Sequence, residues 1–170
     1  VLSISNIVYM IIVGISSATT IMVSHRYGVG DYRGLRRAAT ASWHLGLVAN
    51  GLTMTCFILF RHWLPLMFTS DEAVLAVAAQ LFVMAAIYQI PDGLQTIALG
   101  VLRGMQDVRV TMNYAFVAYI VINLPGGYLC AFTLGLGAPG LWIGFIVGLT
   151  VAAILFITRY RRAARRLVRE

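Results

Sequence analysis

Asp92 is the one carboxylate in an otherwise uncharged segment that runs from residue 73 to residue 102. Gln89, Gln95 and Thr96 accompany it at the three- and four-residue spacings that place side chains on one face of a helix. A charge at the centre of a membrane helix costs about 2.5–3.5 kcal/mol on insertion scales, so such a residue normally faces a bundle interior or water. A carboxyl group there could hold a proton or bind a small cation, and we predict that Asp92 is a cation-binding residue.

A hydrogen bond between helices without any role in transport is the alternative interpretation of this polar face. We instead predict that this polar face, formed by Gln89, Gln95 and Thr96, lines a cavity inside the bundle. Asn6 and Tyr9, in the first apolar segment, are predicted to line the same cavity. Further polar residues in apolar segments are available to meet Asp92, although helix packing is the simpler interpretation for each: His44, Asn50, Asn113 and Asn123.

The elements that position these residues are predicted to be membrane-spanning helices. Of the 170 residues, 60% are hydrophobic and only 11% are charged, and the mean hydropathy is +0.84, whereas soluble domains carry about a quarter charged residues. A helix needs about 20 apolar residues to cross the hydrocarbon layer. We therefore predict an all-α polytopic protein in a lipid bilayer, with five spans near residues 3–24, 39–60, 73–100, 110–133 and 139–158.

The tripeptide Pro91-Asp92-Gly93 has the composition of a turn. A turn there would leave only about nine residues before Arg103, too few to cross a bilayer. We therefore predict one continuous, kinked helix, in which Pro91 removes an internal hydrogen bond and frees carbonyl groups near Gln89 to face a cavity.

The arginines predict the orientation of the chain. All 13 basic residues are arginine, and only Arg61 falls outside the first loop, the third loop and the basic tail at 159–170. Five spans place those three segments on one side, so the positive-inside rule predicts a cytoplasmic C-terminus. Next to a membrane span, the tail indicates contact with anionic headgroups, and we do not expect nucleic acid as a partner. We expect lipid contact also at the basic face formed by Arg33, Arg36 and Arg37.

Local signals in the loops predict where helices begin. Gly28 and Gly30 permit a tight reversal, and Asp31 is expected to cap the next helix. The segment 69–72, Thr-Ser-Asp-Glu, has the spacing of a capping box. Arg103 and Asp107, four residues apart, are expected to form a surface ion pair.

Two other residue types have simple interpretations. The tryptophans are assigned to the interfacial belt that aromatic residues form at membrane surfaces: Trp43, Trp63 and Trp142. Cys56 and Cys130 fall in different spans without metal-ligand spacing, so we expect packing residues and no metal site.

Several stretches together resemble the C-terminal lobe of the multidrug and toxic compound extrusion (MATE) family. They are "RYGVGDYRGLRRAA" at 26–39, "FTSDEAVLAVA" at 68–78, "YQIPDGLQTIALGVLRGMQDVR" at 88–109 and "GLGAPGLWIGFIVG" at 135–148. Their order and separation fit helices eight to twelve of a twelve-helix transporter. The resemblance implies that residues 1–170 form most of one six-helix lobe.

The resemblance also implies a function. It implies antiport driven by a proton or sodium gradient, which exports cationic amphipathic compounds by alternating access between two lobes. The stretch "YQIPDGLQ" matches Asp92 to the acidic residue of the family's cation site, and "NIVYMI" matches Tyr9 to an aromatic position of helix eight. The coupling ion is the only non-protein group implied, and a bacterial inner membrane is the expected location.

The expected partners are the rest of such a transporter, namely an N-terminal lobe and a seventh helix. The chain begins at Val1 without an initiator Met, and we expect the C-terminal part of something larger, from a truncated gene or a fragment, that does not transport alone. A related flippase for lipid-linked sugars is disfavoured because nearly all arginines lie in loops, away from a headgroup cavity. An anchor or assembly subunit remains an alternative. An enzyme is not expected, since Asp92 is the only carboxylate in a span.

Overall fold

The computed structural model of the chain describes residues 2–67, 72–133, 135 and 137–167, and every regular element in these ranges is a helix. The α-helices are α1 (Leu2–Gly28), α2 (Tyr32–Leu59), α3 (Glu72–Gly104), α4 (Val108–Phe116), α5 (Leu124–Tyr128) and α6 (Ala138–Leu167). A short 3₁₀ turn covers Pro65–Met67, and two π-helical segments, Val117–Asn123 and Leu129–Thr133, flank α5. The predicted all-α class is confirmed.

Five helical segments are long and apolar enough to cross a membrane, which confirms the predicted number. Four of them lie in α1, α2, α3 and α6, while the fourth in chain order, Val108–Thr133, runs through α4, α5 and both π-helical segments. Each helix continues past its predicted span into the charged flanks, where long arginine side chains can reach water. Most of the predicted tail 159–170 is thus an extension of α6 to Leu167, and residues 168–170 lie outside the described residues.

The reversal between α1 and α2 follows the sequence signals. Gly30 has a φ of +76°, a conformation that glycine adopts without steric cost, and the Asp31 amide donates to the Arg26 carbonyl at 3.0 Å. Asp31 then caps α2, because its Oδ1 accepts from the Gly34 amide at 2.9 Å. The Gly34 hydrogen bond and the neighbouring Arg26 lower the pKa of Asp31. The predicted cap is confirmed.

The turn between α3 and α4 repeats this geometry without a glycine. Gln106 has a φ of +60°, and the Asp107 amide donates to the Leu102 carbonyl at 3.1 Å. Asp107 pairs with Arg159 of α6, Oδ2 to Nε at 2.5 Å, so the predicted pair with Arg103 was wrong. A four-residue spacing joins side chains only within one helix, and α3 ends at Gly104.

The Asp107–Arg159 pair is expected to stabilise the end of the bundle measurably. Its side chains are only 18% and 24% exposed, and hydrogen bonds to charged groups contribute about 1.5–3 kcal/mol. In a double-mutant cycle of Asp107→Asn and Arg159→Gln, thermal unfolding of the detergent-solubilised protein should show losses that are clearly less than additive. The matched control is Arg26–Asp31, whose side chains are 53% and 37% exposed. Equal coupling in the two cycles would contradict this assignment.

Helix α3 is the centre of the bundle, since it packs against α1, α2 and α6 and also touches α4. It is continuous through Pro91, as predicted. Its first described residue is Glu72; the rest of the proposed capping box, residues 69–71, lies outside the described residues. The central position of α3 brings the face that carries Asp92 against the other helices.

The fourth span and α6 approach each other backbone to backbone. A Cβ atom added at Gly144 would lie 2.3 Å from the Cα of Gly127, and one added at Gly140 would lie 2.6 Å from the carbonyl oxygen of Cys130. Small residues permit such close approach between membrane helices, where van der Waals packing replaces a hydrophobic driving force. These glycines therefore set the distance between the two spans.

The outer surface is apolar, as expected of a surface that faces lipid. Large apolar side chains stand far out of the bundle, with exposed fractions of 73% for Met10, 67% for Leu52 and 70% for Phe132. Trp63 is also 73% exposed, but Trp142 is buried, at 8%. The assignment of Trp142 to the interfacial belt was therefore wrong, because a ring on α6 packs into the core when that face of α6 meets α3.

Candidate cation site

The polar face predicted on α3 is buried in the bundle. The exposed fraction is 2% for Gln89 and 5% for each of Asp92, Gln95 and Thr96. These residues lie on one helical face, and α3 packs on three other helices. None of the four side chains therefore faces lipid in the described part of the chain.

Gln95 connects Asp92 to the fourth span. Its Nε2 donates to Asp92 Oδ1 at 3.3 Å and to Thr96 Oγ1 at 3.1 Å. Its Oε1 accepts from the hydroxyl of Tyr119 at 2.5 Å, and Tyr119 lies in the π-helical segment Val117–Asn123. Sequence reasoning did not single out Tyr119, since nothing in its spacing indicates which helix it meets.

Asp92 also lines a cavity of about 250 Å³ between α1, α3 and α6. Helix α1 contributes Ser5, Asn6 and Tyr9, so two of the predicted cavity residues do share a cavity with Asp92. The remaining lining residues are Tyr88 from α3 and two aromatic residues from α6, Trp142 and Phe145. Gln89, Gln95 and Thr96 are not among the lining residues; Gln95 and Thr96 take part in the hydrogen bonds beside it.

Two aromatic residues of this cavity were not proposed as site residues. Tyr88 precedes Asp92 by four residues, a spacing that places both on one face of α3 and could have indicated it. Trp142 carried no such signal, because it comes from a distant part of the chain. The rings of Tyr88 and Trp142 are perpendicular, with centroids 5.4 Å apart and planes at 89°. Both rings form part of the cavity wall.

The cavity has the donor set of a site for a hard cation. Among the described residues, the ion pairs are Arg26–Asp31 and Arg159–Asp107, so no basic side chain pairs with Asp92. Ser5 Oγ is buried and has no hydrogen-bond partner among the residues that the structure describes. Carboxylate and hydroxyl oxygens suit hard cations, and a proton on Asp92 would also remove the buried charge. The described residues contain no group of three or more His, Cys, Asp or Glu side chains that could hold a metal ion.

Asn50 of α2 lies directly beside this region of α3. It is 2% exposed, and a Cβ atom added at Gly93 would lie 1.8 Å from its Nδ2. Helix α2 can therefore approach the residue that follows Asp92 only because residue 93 has no side chain. The other polar residues that were candidates to meet Asp92 do not lie in this region. His44 and Asn113 are exposed, and Asn123 lies against Gly148.

Comparisons with known proteins agree on one family. Residues 1–129 match the family model described as MatE. The chain is 40% identical over 166 residues to the "Probable multidrug resistance protein NorM" of Xanthomonas campestris, which covers 98% of this chain and 36% of that protein. It is also 40% identical over 168 residues to the "Multidrug resistance protein MdtK" of Pectobacterium atrosepticum, with coverage of 94% and 36%. The chain thus spans about a third of the length of these relatives.

Solved structures show the same fold. The crystal structure of the eukaryotic MATE transporter AtDTX14 superposes with a TM-score of 0.86 at 24% identity, over 98% of this chain and 38% of that one. An inward-facing MATE family transporter of the MOP superfamily gives a TM-score of 0.89 at 18% identity, over 99% and 39%. In both cases the similarity covers nearly all of this helical bundle.

Proposed function

We infer the function of this chain from its family: the chain belongs to the MATE family of multidrug efflux transporters, with NorM and MdtK proteins as its relatives. We propose that it forms most of the C-terminal lobe of such a transporter. The proposed partners are an N-terminal lobe and one further helix, which is consistent with a chain that spans 36% of each of these relatives.

The proposed role of Asp92 is to bind the coupling ion, a proton or a sodium ion. The observation that carries this proposal is a buried carboxylate that opens on a cavity of about 250 Å³ with no basic partner among the described residues. Ser5, Asn6, Tyr9 and Tyr88 offer oxygen atoms around the same space. Binding of a cation neutralises the site, and its release leaves a charge that favours a different packing of the helices.

The proposed cargo consists of cationic amphipathic compounds, which are exported by alternating access of the two lobes. Apolar and aromatic walls with one carboxylate suit such molecules, because a ring face attracts a cation while the apolar body is buried. We place the complete transporter in a bacterial inner membrane with the α6 end in the cytoplasm, which the arginine asymmetry supports. A cysteine introduced at Arg162 that reacts with an impermeant reagent only from the periplasmic side would contradict this orientation.

The test uses the complete transporter reconstituted in liposomes, with a fluorescent lipophilic cation as the transported probe. An imposed pH gradient or an imposed sodium gradient is expected to drive accumulation of the probe, and the matching ionophore should abolish it. The gradient that works identifies the coupling ion. Transport of the probe that persists without either gradient would overturn cation coupling. No transport of the probe under either gradient would overturn the proposal and favour a non-transporting subunit or a flippase for lipid-linked sugars.

A further inference from the structure

A second concave surface lies at the opposite end of α1 from Asn6 and Tyr9. It is a groove of about 880 Å³ between the end of α1 and the start of α2, and it shares no residue with the cavity at Asp92. Its apolar wall includes Ile21, Met22, Ala38 and Ala41. Its basic rim includes Arg33 and Arg37. We call this surface the α1–α2 groove.

The α1–α2 groove carries a net positive charge, since three arginines and one carboxylate, that of Asp31, line it. Arg26, which also borders it, is held by Asp31 with Nη1 and Oδ2 at 2.6 Å. Arg33 and Arg37 are exposed, four residues apart on the same face of α2. In the ranges that the structure describes, neither arginine lies within ion-pair distance of a carboxylate. The groove therefore offers two guanidinium groups to an anion.

The groove is divided into a charged end and an apolar end along the direction of the membrane-spanning helices. Ala38 and Ala41 lie further into the span of α2 than Arg33 and Arg37, and Ile21 and Met22 lie further into the span of α1 than Arg26. The alanines leave room between the two helices, and Ile21 is 69% exposed. A ligand that fills the groove must carry an anionic group at the membrane surface and an apolar chain beneath it.

We propose that the α1–α2 groove binds an anionic phospholipid, with its phosphate at Arg33 and Arg37 and an acyl chain along Ala38 and Ala41. Arginine holds phosphate through two parallel hydrogen bonds, and basic pockets between membrane helices bind anionic headgroups. A soluble phosphate would leave the apolar wall without a partner. The lipid instead satisfies both ends, and its source is the bilayer that surrounds the helices.

The test measures binding of phosphatidylglycerol to the complete transporter by native mass spectrometry, with phosphatidylethanolamine as the zwitterionic reference. Each arginine near an anionic lipid surface contributes about 1 kcal/mol, so Arg33→Gln with Arg37→Gln should reduce the preference for phosphatidylglycerol by about 30-fold. The matched control is Arg161→Gln with Arg162→Gln, which removes the same charge from an exposed segment of α6 outside the groove. Because the tail is expected to make only general headgroup contacts, this control should lose clearly less of the preference than the groove pair.

A second variant tests the apolar wall without changing charge. Ala41→Trp should fill the groove and weaken phosphatidylglycerol binding, while inorganic phosphate should not compete for the site at millimolar concentration. An equal loss in both arginine pairs would mean a general surface potential and would overturn the proposal. Full competition by inorganic phosphate would overturn it in favour of a soluble anion. Unchanged phosphatidylglycerol binding in the groove variants would overturn the proposal, because the lipid would then bind elsewhere on the transporter.

Discussion

Asp92→Asn in the complete transporter is expected to abolish gradient-driven export while membrane insertion and folding stay intact. Asparagine has the same shape and can still accept the hydrogen bond from Gln95 Nε2 at 3.3 Å, but it can neither release a proton nor balance a cation. Charge-assisted contacts contribute about 1.5–3 kcal/mol. The affinity for the coupling ion should therefore fall at least about tenfold, and uptake of the fluorescent cation in liposomes should fall to the level of protein-free vesicles.

The matched control for this prediction is Asp31→Asn. Asp31 is a carboxylate in an exposed turn, and asparagine caps helices as well as aspartate does, so export should continue. Asp92→Leu separates transport from anchoring, because an anchor that still inserts should tolerate the loss of the carboxylate. Export at the wild-type rate by correctly inserted Asp92→Asn protein would refute a coupling role for this residue.

Gly144→Ala is expected to cause the largest loss of stability among single substitutions at the helix contacts. The added Cβ would lie 2.3 Å from the Cα and 2.5 Å from the amide nitrogen of Gly127. Both atoms belong to the backbone, so no side chain can turn aside and the fourth span must move away from α6. Overpacking costs about 1–3 kcal/mol, and occasionally more. Thermal unfolding of the purified transporter should shift down by several degrees, followed as loss of the monodisperse peak in size-exclusion chromatography.

Gly51→Ala provides the control, since no atom of the described residues lies within 4 Å of a Cβ atom added at Gly51. Alanine is favoured over glycine within a helix by about 0.5–1 kcal/mol, so this variant should unfold at the same temperature or slightly higher. If the two alanine variants lose stability equally, the backbone contact between Gly127 and Gly144 does not hold the spans together.

The sequence by itself determined the fold class, the number of spans and the place of Asp92 on a polar face of the third span. The runs of apolar residues are long enough to cross a bilayer. They must cross it as helices, because in lipid the backbone N–H and C=O groups of such a run find hydrogen-bond partners only within the same helix. The continuous helix through Pro91 followed from the same length argument. The cap at Asp31 was predictable because helix caps depend on residues that are adjacent in the chain.

The tertiary structure alone decided which residues meet. Helical spacing shows that Gln95 and Asp92 share a face, but it does not show that Tyr119 donates to Gln95 or that Trp142 lines the cavity. The pairing of Asp107 with Arg159, 52 residues away, likewise replaced a local pair that sequence spacing suggested. The physical reason is that periodicity specifies the face of one helix, whereas the partner depends on the distance and register between helices. Here backbone contacts at Gly127 and Gly144 help to set that register.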